Sequence, residues 1–338
     1  MNNSVGDQVE SKISLIGGAS AIVTGGAGAI GNNLVRKLIR IGVDVVVIDD
    51  FSSGRLENLS DLEGVIQIIE GDIADPSILT KAFDRPVDYV FHLAALFANQ
   101  NSVEHPVKDL HTNGLGTLRL LEKAVEFNVR RFIFSSSSCV YGRCNEVISE
   151  KMEMLPDTPY AITKVLGEQY THFFRINNGL STVVIRYFNS YGPGEVSGPF
   201  RNVIPNFFAL AAEGKALPIT GTGLETRDFT FVGDIVRGTI LAAVCPEADG
   251  EVFNLGTGKE TRINTLAEKI NQITGNESGT VQVNRRTWDQ VNRRKASIEK
   301  ARTLLDYEPI ISIDEGLQCY WSWYRKIAKH KNGLVTTI

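Results

Sequence analysis

The chain has 338 residues, of which 43% are hydrophobic and 22% are charged, a composition typical of a globular protein with a sizeable core. Its formal net charge of −4 gives no electrostatic signature of nucleic-acid binding. The four cysteines are scattered without paired spacing, which indicates reduced thiols in a cytoplasmic protein and no metal site.

Residues 1–18 have the composition of a polar, partly disordered extension, without the basic and apolar regions of a secretory signal. No apolar stretch approaches the ~18 residues that cross a bilayer, so no membrane partner is expected. Strands are predicted next, in chain order, at "SAIVTG", "VDVVVIDD", "VIQIIEGDI", "VDYVFHLAA" and "RRFIFSSS". Helices are predicted from about residue 29 to residue 41 and at "GTLRLLEKAVEFN". Apolar strands separated by helices predict a parallel sheet covered on both faces, a Rossmann-type doubly wound α/β fold.

The second half of the chain has further predicted strands, such as "STVVIRYF" and "EVFNLGTG", but its helices and loops are less regularly spaced. We therefore expect a Rossmann domain over residues 19–188. A smaller substrate-binding α/β domain is expected over residues 189–330, with segments that return to the Rossmann sheet.

Three glycines with a spacing of three, Gly25, Gly28 and Gly31, lie between the first predicted strand and the first helix. Such a turn lets the backbone approach a pyrophosphate at a helix N-terminus, although a plain glycine turn would show the same spacing. The second strand ends at Asp49, where an acid can accept hydrogen bonds from the adenosine ribose. Asp50, rather than a basic residue, follows it, which favours NAD over NADP; a solvated turn is the alternative.

The segment "PYAITKVLGE" places Tyr160 and Lys164 one helical turn apart on a single face. A nearby ammonium and a positive nicotinamide ring both lower the pKa of a phenol, so such a pair can take a proton from an alcohol while hydride leaves for the cofactor. The run "SSSSCVYG" begins where the fifth strand ends, at the sheet edge that binds ligands in this fold class. A serine there can hydrogen-bond the substrate oxygen; a serine cluster that only caps the strand is the alternative.

These motifs resemble, in order, those of the extended short-chain dehydrogenase/reductase family of NAD-dependent nucleotide-sugar epimerases and dehydratases, close to UDP-glucose (UDP-galactose) 4-epimerases. The similarity covers roughly residues 19–325. The matching segments are "TGGAGAIG", "DDFSSG", "GDI", "HLAA", "NGLGTLRLLE", "SSSSCVYG", "PYAITK", "RYFNSYGPGE", "TRDFTFVGDI", "FNLGTG" and "RRTWD".

The resemblance implies catalytic roles for Ser137, Tyr160 and Lys164, with Asn113 shaping the catalytic helix. The residues that it assigns to NAD are Gly25, Gly28, Ala29, Ile30, Gly31, Asp49, Asp50, Ser53, Gly54, Asp72, Ile73, Leu93, Ala94, Ala95, Tyr160, Lys164 and Phe188. Those that it assigns to a nucleotide sugar, with UDP as the expected nucleotide, are Ser137, Asn189, Asn202, Arg227, Arg286 and Asp289. A bidentate guanidinium suits phosphate, although plain surface charge is the alternative for both arginines.

Departures from the family pattern bear on the reaction. Dehydratases carry an acidic pair just before "VYG" and decarboxylases carry a glutamate there, whereas this chain has Ser138 and Cys139. The resemblance therefore implies a 4-epimerase that works through a 4-keto sugar with retained NAD. The alternatives are a dehydrogenase, reductase, dehydratase or decarboxylase on the same scaffold, and a non-catalytic NAD-binding protein. Phe97 and Ala29 also differ from the family's usual residues, which are Lys or Gln and an aromatic.

Two further expectations concern assembly and the sugar. The resemblance implies that the helices at "GTLRLLEKAVEFN" and "PYAITKVLGEQYTHFF" pair across a twofold axis as a four-helix bundle, so a homodimer is expected. Arg293 lies where the family places a residue that gates the sugar pocket, and it could pair with the carboxylate of a uronic acid. The alternative is that Arg293, Arg294 and Lys295 extend into solvent from a surface turn.

Overall fold

The computed structural model describes residues 2–285 and 289–333. Its helices are α1 (Asn2–Ser14), α2 (Ala29–Arg40), α3 (Pro76–Ala82), α4 (Asn99–Glu104), α5 (Pro106–Asp109), α6 (Thr117–Glu126), α7 (Pro159–Asn178), α8 (Val203–Ala212), α9 (Val232–Val244), α10 (Ile263–Thr274), α11 (Glu299–Leu305) and α12 (Ile313–Gly333). A π-helical turn, Leu110–Gly116, joins α5 to α6. Among the helices described, none has the length and apolar character needed to cross a bilayer.

The larger strands alternate with these helices in the first two thirds of the chain. The strands are β1 (Ser20–Thr24), β2 (Asp44–Asp49), β3 (Gln67–Glu70), β4 (Tyr89–His92), β5 (Arg131–Ser137), β6 (Val147–Ile148), β7 (Thr182–Tyr187), β8 (Ser190–Tyr191), β9 (Leu217–Thr220), β10 (Thr226–Arg227), β11 (Thr230–Phe231), β12 (Val252–Leu255), β13 (Thr261–Arg262), β14 (Thr280–Val283) and β15 (Lys295–Ala296). Seven of them form one sheet in the order β12-β7-β5-β4-β1-β2-β3, and every neighbouring pair is parallel. The predicted Rossmann-type sheet is confirmed, and the second-half strand β12 returns to its edge.

Each face of the sheet carries its own hydrophobic core. In β2, Val45 and Val47 pack with side chains of α2 and α9, whereas Val46 and Ile48 pack with those of α3 and α6. This is the two-residue alternation of a strand that is buried on both faces. Burial of such a side chain contributes roughly 1.5–3 kcal/mol, so both helical layers are held to the sheet.

A third core lies in the second half of the chain. It includes Phe208 of α8, Ile270 of α10 and Tyr320 of α12, all fully buried. The rings of Phe208 and Tyr320 lie with their centroids 5.0 Å apart. This core supports a smaller C-terminal unit, as expected for the fold class. The boundary near residue 189 stays a prediction.

The N-terminal segment, for which the sequence indicates a polar, partly disordered extension, forms a helix from Asn2 to Ser14. Val9, Ile13 and Ile16 recur at helical spacing and are buried against the α9 side of the sheet. Lys12 also forms an ion pair with Asp306. The polar composition hides a narrow apolar stripe, which is sufficient to dock α1 on α9.

The docking of α1 can be tested by truncating Ile13, whose side chain is fully buried. We expect Ile13→Ala to lower the free energy of unfolding by about 2–5 kcal/mol, because it removes buried methylene groups and leaves a cavity. The matched control is Leu15→Ala, at a side chain that is 71% exposed, which should change stability by less than about 0.5 kcal/mol. Urea unfolding measures both variants, and equal effects would contradict the packing of α1.

Candidate active site

The carboxyl ends of the central strands open into one cleft. It is lined by the predicted cofactor residues Gly25, Gly28, Ala29, Ile30, Gly31, Asp49, Asp50, Ser53, Gly54, Asp72, Ile73, Leu93, Ala94 and Ala95. It is also lined by Ser137, Tyr160, Lys164, Asn189 and Asn202. The structure therefore brings to one sheet edge the predicted cofactor residues other than Phe188, the catalytic residues other than Asn113, and three of the predicted substrate residues, Ser137, Asn189 and Asn202. Ligands bind at this edge in open α/β folds.

The glycine turn sets how closely α2 approaches the sheet. Gly25 has a φ of 68°, and a Cβ there would lie 2.7 Å from the amide nitrogen of Ala94. A Cβ on Gly31 would lie 2.1 Å from the main-chain oxygen of Gly25. Both positions therefore require glycine. Helix α2 begins after Gly28 without a side-chain cap, so its first N–H groups can receive an anion.

Asp49 ends β2 with a carboxylate that is mostly buried. Its oxygens accept hydrogen bonds from the main-chain N–H groups of Ala27 (2.8 Å) and Phe51 (2.9 Å). Burial raises the pKa of Asp49, while these two hydrogen bonds oppose the rise. Asp50 follows at the rim, where its carboxylate accepts a hydrogen bond from the hydroxyl of Ser52 (2.6 Å). Two adjacent acids suit ribose hydroxyls and would repel a 2′-phosphate.

The catalytic side chains come from β5 and the first turns of α7. Ser137 is the last residue of β5, and its hydroxyl accepts a hydrogen bond from the amide of Cys139 (3.2 Å). Tyr160 is 7% exposed, and its amide donates to the hydroxyl of Ser102 (3.0 Å). Lys164, one turn further, lies with Nζ 5.7 Å from the centroid of the Tyr160 ring. The predicted shared face of Tyr160 and Lys164 is therefore present.

Burial dominates the electrostatics of this pair. It raises the pKa of Tyr160 well above the ordinary value, and a hydrogen bond with Ser137 lowers it only in part. Burial also lowers the pKa of Lys164 to about 8, against the carboxylates of Asp109 and Glu168. The expected lowering of the phenol pKa by the ammonium is therefore not seen in the protein alone, because desolvation outweighs it.

Asn113 lies beneath the cleft rather than in its lining. Its Oδ1 accepts a hydrogen bond from the amide of Leu96 (2.8 Å), and its Nδ2 donates to Asp109 (3.0 Å) and Thr163 (3.2 Å). The Thr163 hydroxyl donates to Asp109 at 2.5 Å. Because Thr163 precedes Lys164 on α7, this buried network supports the helix that carries the catalytic pair, as the resemblance implies.

A second buried network supports the serine run. Arg186 of β7 and Glu168 of α7 form an ion pair at 2.6 Å, with both side chains about 95% buried. The hydroxyl of Ser136 donates to Glu168 (2.5 Å), and Arg186 donates to the hydroxyl of Tyr141 (2.7 Å). Ser136 therefore belongs to a buried structural network, although it also lines the cleft beside Ser137 and Tyr160.

Several predicted ligand residues lie elsewhere. Phe188 is fully buried with its ring against Tyr141 (6.4 Å between centroids), and Tyr187 lines the cleft instead. Successive side chains of a strand point in opposite directions, so Tyr187 lies in the cleft where Phe188 was predicted. Arg227 is not among the residues that line the cleft; its guanidinium lies 3.8 Å from the carboxylate of Asp289. Arg286 lies outside the described residues.

The adjacent basic residues 293 and 294 have different environments rather than a shared position on an exposed turn. Arg293 pairs with Glu260 at 2.7 Å, so its guanidinium is engaged away from the cleft. Arg294 is 5% exposed and donates to the main-chain oxygens of Ser138 and Gly142, at both ends of the turn that follows Ser137. The prediction that these side chains extend into solvent is wrong for Arg294, because its guanidinium is buried and donates to main-chain carbonyl groups of the turn.

The charged residues of the cleft that the sequence analysis missed include Glu195 and Arg201. Glu195 is 2% exposed, and its Oε1 accepts a hydrogen bond from Asn202 Nδ2 (2.9 Å). Arg201 donates to the main-chain oxygen of Ser53. Both lie in the segment "YGPGEVSGPF" and its continuation, whose glycines and prolines indicate only a loop. Distant elements bury Glu195, so local spacing could not reveal it.

Comparison with known proteins identifies the family. Residues 21–256 match the NAD dependent epimerase/dehydratase family. The chain belongs to this family. An epimerase from the methanogen Methanothermobacter thermautotrophicus is 45% identical, with a TM-score of 0.93 over 96% of this chain and 97% of that one. The structure of a Thermotoga maritima UDP-glucose 4-epimerase with UDP-glucose is 37% identical, with a TM-score of 0.87 over 91% of this chain and 99% of that one. A UDP-N-acetyl-alpha-D-glucosaminuronate decarboxylase of Bacillus cytotoxicus is 33% identical over 90% of this chain and 98% of its own.

Membership of this epimerase/dehydratase family confirms the resemblance and assigns NAD as the cofactor. The cleft fits that cofactor on its own geometry. The uncapped start of α2 suits a pyrophosphate, and the Asp49 carboxylate at the end of β2 suits a ribose.

The buried carboxyl group of Glu195 gives a pH-dependent prediction. Burial raises the pKa of Glu195 from 4.5 to about 7, while Arg201 and the hydrogen bond from Asn202 oppose the rise. The folded protein binds this proton more tightly than the unfolded chain, so the resulting stability is fully present below pH 4.5 and is lost as pH rises through about 7.

We expect the stability of the wild type relative to Glu195→Gln to fall by about 2–3 kcal/mol between about pH 5 and pH 8, because glutamine does not titrate. Urea unfolding of the cofactor-free proteins at both pH values measures this difference. A difference that does not change with pH would contradict the raised pKa.

Proposed function

We propose that the protein is a UDP-hexose 4-epimerase that retains NAD and works through a 4-keto sugar. The observation that carries this proposal is the grouping of Ser137, Tyr160 and Lys164 in the NAD cleft, with Ser138 and Cys139 in the next two positions. Neither of these two side chains is a carboxylic acid, so these two positions lack the acids that dehydratases of the family carry there for the elimination of water. Epimerisation removes a hydride from one sugar carbon and returns it to the same carbon, for which Ser137, Tyr160 and Lys164 supply the protein groups.

NAD, when bound, supplies the hydride acceptor and donor for the sugar carbon. Tyr160 takes the proton from the 4-hydroxyl group and later returns it, while Ser137 hydrogen-bonds the same oxygen. Burial keeps the phenol protonated in the protein alone, so proton removal requires added positive charge beside the ring. Lys164, with a pKa of about 8, is mostly charged near pH 7 and contributes to that charge.

The proposed substrate contacts divide into two groups. Asn189 and Asn202 line the cleft, and Asn189 Oδ1 is buried without a hydrogen-bond partner among the described residues, as expected of a group that awaits a ligand. Arg227 and Asp289 do not line the cleft and would join the site from its border. A role for Arg286 in holding phosphate stays a prediction. Because Arg293 is paired with Glu260, the proposal favours a neutral hexose over a uronic acid.

The reaction can be tested with a panel of UDP-sugars and no added cofactor. We expect UDP-glucose and UDP-galactose to interconvert, because the proposed hydride acceptor stays in the cleft. Product sugars are separated by chromatography and identified by NMR. Release of CO₂ from a UDP-uronic acid, or a 4-keto-6-deoxy product, would instead support the decarboxylase or dehydratase alternative.

The acid–base role of Tyr160 can be tested with Tyr160→Phe. We expect kcat to fall by roughly 10²–10⁴-fold with little change in UDP-sugar affinity, because the ring remains and only the proton acceptor is lost. Tyr170→Phe is the matched control, since it removes the hydroxyl of another tyrosine of the same helix that packs on the core. Near-full activity of Tyr160→Phe would refute the assignment.

We propose that the protein forms a homodimer through α6 and α7. Ile162, Phe173 and Ile176 lie along one face of α7 and are 54%, 51% and 61% exposed. Three large apolar side chains in one exposed stripe favour a helix–helix interface, which a twofold axis would complete as a four-helix bundle.

The dimer can be tested with the double variant Phe173→Glu/Ile176→Glu. We expect it to be monomeric, because paired charges oppose burial of the stripe. Ile310→Glu, at a residue that is 65% exposed and outside α7, is the control and should remain dimeric. Light scattering after size exclusion measures the mass, and a wild type that is monomeric at micromolar concentration would refute the proposal.

A further inference from the structure

Residues 192–202, which we name the cover loop, connect β8 to α8 and form one side of the cleft. The loop contributes six lining residues: Gly192, Glu195, Pro199, Phe200, Arg201 and Asn202. It comes from the second half of the chain but lies against the cofactor-binding half.

The cover loop is fixed at several points. Asn33 of α2 donates to the main-chain oxygen of Pro193 (2.8 Å), and Asn58 donates to that of Gly194 (3.1 Å). From α12, the hydroxyl of Tyr320 donates to the main-chain oxygen of Glu195 (2.7 Å). The backbone around Glu195 is therefore held by α2 and Asn58 on one side and by α12 on the other, which gives its side chain a defined position in the cleft.

One oxygen of the Glu195 side chain is satisfied and the other is not. Oε1 accepts the hydrogen bond from Asn202, while Oε2 is buried without a partner among the described residues. Arg201 favours the charged carboxylate from a distance but donates its own hydrogen bond to Ser53. A buried acceptor without a partner is costly, so a group that lines a ligand cleft in this state is ready to bind a ligand donor.

We propose that Glu195 is a ligand-binding residue, whose Oε2 accepts a hydrogen bond from a hydroxyl group of the bound nucleotide while Oε1 holds Asn202 in place. The hydroxyl can come from a ribose of NAD, from the ribose of UDP or from the sugar. A phosphate is excluded as the partner of the ionised carboxylate by like charge. The sugar and UDP sources rest on the proposed UDP-sugar substrate, whereas the NAD source does not.

The charge of Glu195 gives the binding a pH dependence. Its pKa of about 7 in the ligand-free protein places both forms near neutral pH, and a hydroxyl donor favours the ionised form. The charged or titratable groups that face it are Arg201 of the loop and Tyr320 of α12, while α2 presents the amide of Asn32 close to Gly194. Affinity for the ligand should therefore rise from pH 6 to pH 8 in the wild type and stay level in Glu195→Gln.

The experiment compares wild type and Glu195→Gln, which keeps the side-chain shape and an acceptor for Asn202. Three measurements distinguish the possible sources of the hydroxyl group. The first is the amount of NAD released from the purified protein on denaturation. The second and third are the affinities of the NAD-loaded protein for UDP and for UDP-glucose, measured by calorimetry. We expect a loss of about tenfold or more at pH 8 in one arm, the value for one charge-assisted hydrogen bond. A loss confined to UDP-glucose assigns the sugar, a loss for both UDP and UDP-glucose assigns the nucleotide ribose, and a loss of NAD assigns the cofactor.

Tyr320→Phe is the control for loop packing, because it removes an anchor of the same residue without changing the carboxyl group. If it reproduces the losses of Glu195→Gln, Glu195 acts only through the loop and the proposal is refuted. The proposal would also be refuted if Glu195→Gln changed binding by less than about twofold in all three measurements. An affinity that falls as pH rises in the wild type but not in Glu195→Gln would refute it as well, because it would indicate that a protonated Glu195 donates a hydrogen bond to phosphate. A wild type that binds NAD but turns over no UDP-sugar overturns the proposed function and leaves the NAD arm valid.

Discussion

One buried hydrogen bond, from Lys164 Nζ to the main-chain oxygen of Ser135 (2.8 Å), ties α7 to the end of β5. Tyr160 lies one turn before Lys164, and Ser137 lies two residues after Ser135, so this bond sets the position of the phenol relative to the serine. Loss of the ammonium would leave a buried carbonyl without its donor and would remove one of the bonds that hold α7 against β5. The same lysine therefore serves the packing of α7 and the charge of the site, and the two effects of a Lys164 substitution cannot be separated by activity alone.

The buried polar groups around this bond are of two kinds, those with hydrogen-bond partners in the protein and those without. The networks of Asp109 and of Glu168 with Arg186 have partners within the protein, which is the condition for burying such groups at tolerable cost. Asn189 Oδ1 and Glu195 Oε2 have none among the described residues, and both line the cleft. A rigid site for a polar ligand requires both features. Buried hydrogen-bonded networks hold the reacting groups in place, and acceptors without partners beside them can bind the ligand.

The features that the sequence predicted are those encoded over short distances. The turn from Gly25 to Gly31, the acid at the end of β2 and the spacing of Tyr160 and Lys164 each depend on a single strand–helix unit, and the structure places them in one cleft. Arg294 depends instead on contacts with a turn about 150 residues earlier, since it bonds to Ser138 with a separation of 156. Adjacent arginines look alike in sequence, and only the fold decides that Arg293 meets Glu260. Helix α1 escaped prediction because Val9 and Ile13, together with Ile16 just beyond its end, are diluted by polar neighbours.

The packing of α1 also has a consequence for how the chain is made. Lys12 contacts Asp306 across a separation of 294 residues, and the helix docks on α9, which is also far along the chain. At a synthesis rate of roughly 5–20 residues per second, about 15–60 s pass between the appearance of Lys12 and that of Asp306. Until α9 has been synthesised, the apolar stripe of α1 lacks the surface that buries it. Helix α1 is therefore synthesised well before the element on which it packs, and its apolar stripe stays exposed on the nascent chain during that interval.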